Sequence, residues 1–385
     1  MDMNLSEEQS MIQDMARKFS NSELAPQAAL LDQKSSHKIL IQNVHKLAQL
    51  GFMGLNVNSE YGGTQAGPVA FSLAMTEIGR GCAATAATMS VTNMVGEVIQ
   101  SVASEAQKKR YLPKLCSGEY SAGSFCLSEP GAGSDPSQMR TKAVLSNGEW
   151  VLNGNKAWIT SAEYAGIFVV WAVTDSSRPK GKGISCFLVE HNTPGLTIAP
   201  TEKKMGQRGS STNTVIFENC RIPESALMGQ LNDGFRIAVA ELAGGRIGVG
   251  SLALGIGQAA MDYARAYLPQ RKQFGQPLSN FQGLQWMLAD AYTELEAAQL
   301  LLMKAAYLKE NGKTFSKNAS MAKLYATETA NRVCHTALQF MGGLGYTQEL
   351  PLERYTRDAR VTSIYEGTSE IQRVIIAREL LQEIA

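Results

Sequence analysis

Ile167-Phe168-Val169-Val170-Trp171-Ala172-Val173-Thr174 and Ile184-Ser185-Cys186-Phe187-Leu188-Val189-Glu190 are runs of one kind. Both are dense in β-branched and aromatic residues, and each is about the length of a single strand. Pro179–Gly183 between them is turn chemistry, as is Asn192–Gly195 after them. Thr214–Glu218 repeats the composition, and Ser146-Asn147-Gly148 between two such runs predicts a hairpin. Strand-like sequence therefore fills the stretch from about Ser121 to Pro223.

On both sides the periodicity is helical. Ser6 and Gln9 have capping-box spacing, and Met11, Ile12, Met15, Ala16 and Phe19 recur as one helix face. Ile39–Leu50 predicts a second helix, stopped by Gly51, and Asn58–Gly67 a loop. Pro68–Ile99, rich in Ala and Met, predicts one buried helix with its proline in the first turn, and Lys108–Leu115 a shorter one. After Gly229 come Phe235–Leu268, Leu284–Asn311 and Ser316–Phe340, a break at Gly342-Gly343-Leu344-Gly345, and a last helix from Ser369. Strands in one block, not alternating with helices, disfavour a doubly wound nucleotide fold. The expected class is α+β, mainly α, with domains at 1–120 (helical), 121–228 (β) and 229–385 (helical bundle).

A chain of 385 residues with 44% hydrophobic and 18% charged residues can bury a large core, and its formal net charge of +1 gives no general attraction to nucleic acid or an anionic membrane. Six scattered cysteines without a CxxC pair point to reduced thiols, and the four histidines lack ligand spacing, so no metal site is expected. The start, Met1-Asp2-Met3-Asn4, does not resemble a secretory signal, and no uninterrupted apolar run reaches bilayer length. A cytoplasmic location follows as the expectation, or the mitochondrial matrix for a eukaryotic mature chain.

Gly248-Val249-Gly250-Ser251-Leu252-Ala253 has the letters of a dinucleotide fingerprint but sits inside a helical pattern with no strand before it; small residues for close helix packing explain it better. Ser128-Glu129-Pro130-Gly131-Ala132-Gly133-Ser134-Asp135 is a glycine-bearing turn at the entrance to the β region, open to a ligand or simply a loop. Trp158-Ile159-Thr160 could cover a flat heterocycle and donate a hydrogen bond to its edge, or belong to core or surface. Arg271-Lys272-Gln273-Phe274-Gly275 reads as a basic helix end or as a pyrophosphate contact. Tyr365-Glu366-Gly367-Thr368-Ser369-Glu370 puts a carboxylate in a tight turn before the last helix, which Thr368 can cap.

Taken together, in this order and at these distances, the motifs resemble the acyl-CoA dehydrogenase family over essentially the whole chain. Its two signature stretches match Cys126–Asp135 and Gln339–Asp358. The resemblance implies an N-terminal helical domain, a middle β-barrel-like domain and a C-terminal four-helix bundle, assembled as a homotetramer, a dimer of dimers. It implies FAD, with Phe125, Leu127, Ser128, Gly133 and Ser134 lining the flavin, Trp158 and Ile159 packed at the ring, and Thr160 bonded near N5. Arg271, Phe274, Gln282, Gln339 and Gly343 match residues that hold the FAD of a neighbouring subunit, and Thr368 and Glu370 complete the dinucleotide site. Ser134 and Arg246 match contacts to the thioester and to CoA, with Tyr365 and Gly367 also on the substrate.

Glu366 falls on the family's usual catalytic base. By the resemblance it removes the α-proton of an acyl-CoA while hydride leaves Cβ for flavin N5, giving a trans-2-enoyl-CoA, and an electron-transferring flavoprotein reoxidises the FAD. A free glutamate has a pKa of about 4.3, so the role requires burial to raise it toward working pH. Some relatives carry the base one residue before the arginine matching Arg246; here that residue is Gly245, which leaves Glu366. Many short- and medium-chain members carry Asp at the position of Ala243 to hold pantetheine, so the resemblance does not carry that contact over to this chain. The Gly244-Gly245-Arg246 stretch looks most like short-chain and branched short-chain members, the butyryl- and isobutyryl-CoA enzymes. Competing expectations are an oxygen-using acyl-CoA oxidase, and a nucleic-acid-binding relative of the same fold, which the neutral charge disfavours.

Overall fold

Ser6 opens the first helix as its spacing to Gln9 predicts. The Gln9 N–H donates to Ser6 Oγ (3.1 Å), and the Ser6 N–H donates back to Gln9 Oε1 (3.0 Å). The structure is a computed structural model that describes residues 4–34 and 37–384. The first helical region holds α1 (Glu7–Phe19), α2 (Ala28–Lys34), α3 (His37–Gln49), α4 (Gly67–Gly81), α5 (Ala83–Val102) and α6 (Glu105–Cys116).

The single helix expected over Pro68–Ile99 is two. The chain breaks at Cys82, whose φ of −156° and ψ of 108° are extended. Just before the break α4 runs tightly against the segment after α1: a Cβ on Gly81 would stand 2.3 Å from Ser20 Oγ. Both helices are buried around nearly all their faces, so the apolar pattern does not register the change of direction.

The strands are β1 (Gly123–Cys126), β2 (Lys142–Ser146), β3 (Glu149–Thr160), β4 (Ile167–Val173), β5 (Ile184–Glu190), β6 (Leu196–Ile198), β7 (Thr212–Pro223) and β8 (Leu227–Met228). They form one sheet in the order β6-β7-β3-β2-β4-β5-β8, with β1 parallel to β4. The expected hairpin joins β2 to β3, with Asn147 and Gly148 both at positive φ (54° and 79°). On β4, Ile167, Val169 and Trp171 pack with Val95, Val98 and Leu112 of α5 and α6, while Phe168, Val170 and Ala172 face a second core with Trp150, Phe187 and Phe217. Burial on both faces explains why this strand is a continuous apolar run and not an alternation.

The second helical region begins with α7 (Gly234–Tyr267), followed by the short strands β9 (Lys272–Gln273) and β10 (Gln276–Pro277), then α8 (Gln282–Glu310), α9 (Ser316–Met341), α10 (Leu352–Arg360) and α11 (Ser369–Gln382). α10 went unread in the sequence because only one narrow stripe of it is apolar; it is fastened by Arg357, which donates to both oxygens of Asp32 (3.1 and 2.8 Å). α7 is long and apolar enough by composition to cross a membrane, although Arg246, Ser251 and Gln258 interrupt its apolar run, and most of it is buried inside this chain. One core joins α1–α5 to α7–α10.

α7 approaches its neighbours through glycines. At Gly255 an added Cβ would lie 2.1 Å from the Thr76 carbonyl oxygen of α4. Gly255→Ala should therefore destabilise the fold by about 1–3 kcal/mol, exceeding the gain in helix propensity of about 1 kcal/mol. A lower urea midpoint at unchanged slope is the expected reading.

Candidate active site

The turn between α10 and α11 carries Glu366 at φ +55° and Gly367 at φ +88°. A left-handed glutamate is uncommon and needs support from its surroundings. Gln372 of α11 donates from Nε2 to the carbonyls of Glu366 (3.1 Å) and Gly367 (2.9 Å). Lys323 Nζ of α9 donates to the Gly367 carbonyl (2.9 Å). Thr368 caps α11 by accepting from the Ile371 N–H (3.4 Å). Tyr365 Oη accepts from Gln207 Nε2 (3.2 Å), and the Gln207 N–H donates to Asp358 Oδ1 (2.5 Å), which ties this turn to the β domain.

The Glu366 carboxylate points at Gly245 of α7. A Cβ on Gly245 would lie 3.1 Å from Glu366 Oε2 and 2.7 Å from Met94 Sδ of α5. Glu366 Oε2 is buried with no hydrogen-bond partner. Burial pushes its pKa up to about 7, against the pull of the Arg246 and Lys323 cations. Arg246 is itself buried; one guanidinium nitrogen reaches Ser320 Oγ (3.3 Å) and Nε has no partner. An uncompensated carboxylate in such a place is costly to the fold and is the usual mark of a functional group.

Phe125 and Ser128 reach the same neighbourhood as Trp158 by backbone pairing. β1 lies beside β4 with Phe125 opposite Val169, and the Ala157 N–H donates to the Ser128 carbonyl (2.9 Å). Ser124 Oγ donates to the Thr160 carbonyl (2.7 Å). Between Lys156 and Ile159 the β3–β7 register slips, Trp158 takes φ +63°, and its indole stands out with 65% of its surface exposed. Beside it, Gly131 and Gly133 have nothing within 4 Å of an added Cβ. Ser134 is also on the open side of this loop. An open glycine turn facing an outward aromatic and a Thr at the strand end is a cradle that suits a flat heterocycle.

Below that cradle lies an ion pair the sequence reading missed. Lys156 is fully buried, and its Nζ donates to Glu129 Oε1 (2.8 Å) and the Leu127 carbonyl (3.2 Å). Glu129 also accepts from the N–H groups of Arg140 (2.6 Å) and Thr141 (3.0 Å). Burial would raise the Glu129 pKa, but Lys156 and these donors hold it below the ordinary value. A Lys two residues before the Trp was the available signal.

Arg271, Phe274 and Gln282 lie at the α7–α8 connection, and Gln339 and Gly343 at the end of α9. Among the described residues they make no hydrogen bond to the Glu366 turn or the Trp158 cradle, and Phe274 is 93% exposed at a left-handed tip. Glu370 lies in the first turn of α11 beside the Thr368 cap.

Family models fit three successive parts of the chain: "Acyl-CoA dehydrogenase, N-terminal domain" at residues 6–119, the middle domain at 124–220 and the C-terminal domain at 232–381. The mitochondrial short-chain specific acyl-CoA dehydrogenase of Bos taurus is 47% identical over 382 residues, covering 99% of this chain and 92% of the relative. Butyryl-CoA dehydrogenase from Megasphaera elsdenii superposes with a TM-score of 0.95 at 38% identity, over 99% of this chain and 100% of that one. A chain solved in work on the electron transferring flavoprotein of Acidaminococcus fermentans superposes at 0.96 with 41% identity, over 99% and 100%.

The chain belongs to the acyl-CoA dehydrogenase family. It is an oxidoreductase that dehydrogenates acyl-CoA, with FAD as its cofactor. Lys156→Met would strand a buried Glu129 carboxylate under the cradle, at a cost of about 3–5 kcal/mol. The expected outcome is a lower melting temperature together with loss of FAD on gel filtration.

Proposed function

We propose that this enzyme oxidises a short-chain acyl-CoA, straight or branched, to the trans-2-enoyl-CoA, with Glu366 as the group that takes the α-proton. One observation carries the reading: a buried carboxylate with a free oxygen, raised to about 7, faces a space cleared by Gly245. At neutral pH such a group is partly ionised and basic enough to accept a proton from a weak carbon acid. The Glu366 N–H, presented by the left-handed turn, supplies a donor for the thioester oxygen as negative charge grows there. Arg246 and Ser134 hold the CoA and thioester ends, flanked by Tyr365 and Gly367.

FAD, when bound, supplies the two-electron acceptor for the β-hydride. Phe125, Ser128, Gly133, Ser134, Trp158 and Thr160 would cover its ring, backed by Leu127 and Ile159 from the cores behind them, and Thr368 and Glu370 would lie along its dinucleotide. Arg271, Phe274, Gln282, Gln339 and Gly343 serve the FAD of a neighbouring subunit in a homotetramer. Their separation from the Trp158 cradle and the bare Phe274 ring support that division. Short-chain preference is supported by the 47% identical short-chain relative. The electron acceptor is an electron-transferring flavoprotein, and the working compartment is the cytoplasm or a mitochondrial matrix.

Glu366→Gln should retain FAD yet slow anaerobic flavin bleaching by butyryl-CoA by at least about 10²–10⁴-fold. Near-normal bleaching in that variant removes the mechanism. In the unmodified enzyme the base works only when deprotonated, so the bleaching rate should rise with pH through a midpoint near or somewhat above the ligand-free value of about 7. A rate independent of pH between 6 and 8 contradicts the assignment.

A further inference from the structure

Lys323 is 0% exposed, on the part of α9 that packs against α7: a Cβ on Gly250 would lie 3.5 Å from the Lys323 Cα. Lysines are seldom fully buried, and one without a paired carboxylate is rarer still. Its hydrogen bond among the described residues goes to the Gly367 carbonyl, at 2.9 Å. It forms no ion pair within 4 Å among the described residues, unlike buried Lys156 with Glu129. If only packing were required at this point, a methionine of similar volume would serve without the desolvation penalty.

The position of the ammonium gives it two effects on Glu366. By bonding the carbonyl of the next residue it helps close a turn that a glutamate does not favour, with φ +55° followed by φ +88°. By standing in the same buried volume it favours the ionised carboxylate. The other groups around the pair are Arg246 and Glu241 from α7, Glu328 from α9, Glu370 from α11 and Tyr365 from the turn itself. Met94 is the contact from α5. Arg246 adds to the effect on Glu366, whereas Glu241 opposes it; Glu328 and Glu370 act on Lys323.

We propose that Lys323 is a positioning residue for the base: it locks the Glu366–Gly367 turn through the Gly367 carbonyl and its charge keeps the Glu366 carboxylate ionised. The proposal rests on the reading of Glu366 as proton acceptor. Burial lowers the Lys323 pKa to about 8, above the Glu366 value of about 7, so the ammonium is still mostly charged at the pH where Glu366 is half ionised. The carboxylate is thereby held ready without a direct ion pair that would tie up its oxygen.

The test uses the FAD-loaded enzyme and Lys323→Met, Lys323→Gln and Lys323→Arg. Anaerobic flavin reduction by butyryl-CoA is followed from pH 6 to 9, and protonation of Glu366 is titrated by difference infrared spectroscopy against Glu366→Gln. Loss of charge in the Met and Gln variants should move the Glu366 midpoint up by about one unit and slow reduction about tenfold at pH 7. At high pH the Gln variant, which can still donate to Gly367, should recover more rate than Met; Arg should keep the original midpoint. A wild-type midpoint in the Gln variant, or an Arg variant shifted like Gln, overturns the proposal, and this comparison stands if the Met variant does not fold. Normal reduction by Glu366→Gln would instead defeat the reading of the base, a separate result.

Discussion

The close passage of α7 between the N-terminal helices and the bundle is the constraint on which the rest depends. Without side chains at Gly245, Gly250 and Gly255, the helix passes so close to Met94 of α5, Leu302 of α8 and the Thr76 carbonyl of α4 that an added Cβ would stand 2.7, 2.6 and 2.1 Å from them. The same clearance that lets the helices share one core leaves the space into which the Glu366 carboxylate points. Packing and chemistry are here set by one feature, so substitutions along this face are expected to alter both.

Buried charge is handled in two contrasting ways. In the β domain Lys156 and Glu129 neutralise each other and spend their remaining hydrogen bonds on backbone, fastening the loop under the Trp158 cradle. Around Glu366 the charges are near but not paired: Lys323 bonds a carbonyl, Arg246 bonds a serine, and the carboxylate keeps a free oxygen. A closed pair resists change, which suits a support. An open arrangement leaves the carboxylate able to change protonation, which suits a base.

Links between domains converge on the same turn. Gln207, itself at φ +48°, joins the β domain to Asp358 and Tyr365, and Arg357 joins α10 to Asp32 in the first helical region. Burial raises the Asp358 pKa to about 6, with the Gln207 N–H opposing that shift. Neutralising Asp358 weakens the charge-assisted part of this link, so the turn's anchorage and the state of Glu366 respond to acid together.

The sequence by itself determined the order of helical, strand and helical regions, the Ser6 cap, the Asn147-Gly148 hairpin and the identity of the motifs, because each depends on residues a few places apart. It also singled out Glu366 and Trp158 through the motifs around them. It did not reveal the break at Cys82 or helix α10, where burial on all sides or a narrow apolar stripe blurs the periodicity. Nor did it reveal the parts played by Lys156, Lys323 and Gln207, since a single charged or amide residue in a strand, helix or loop reads as solvated. Their partners lie 27, 44 and 158 positions away, at Glu129, Gly367 and Tyr365. Only the tertiary structure decided which of these groups lost water and what replaced it, because desolvation depends on the whole surrounding volume and not on sequence neighbours.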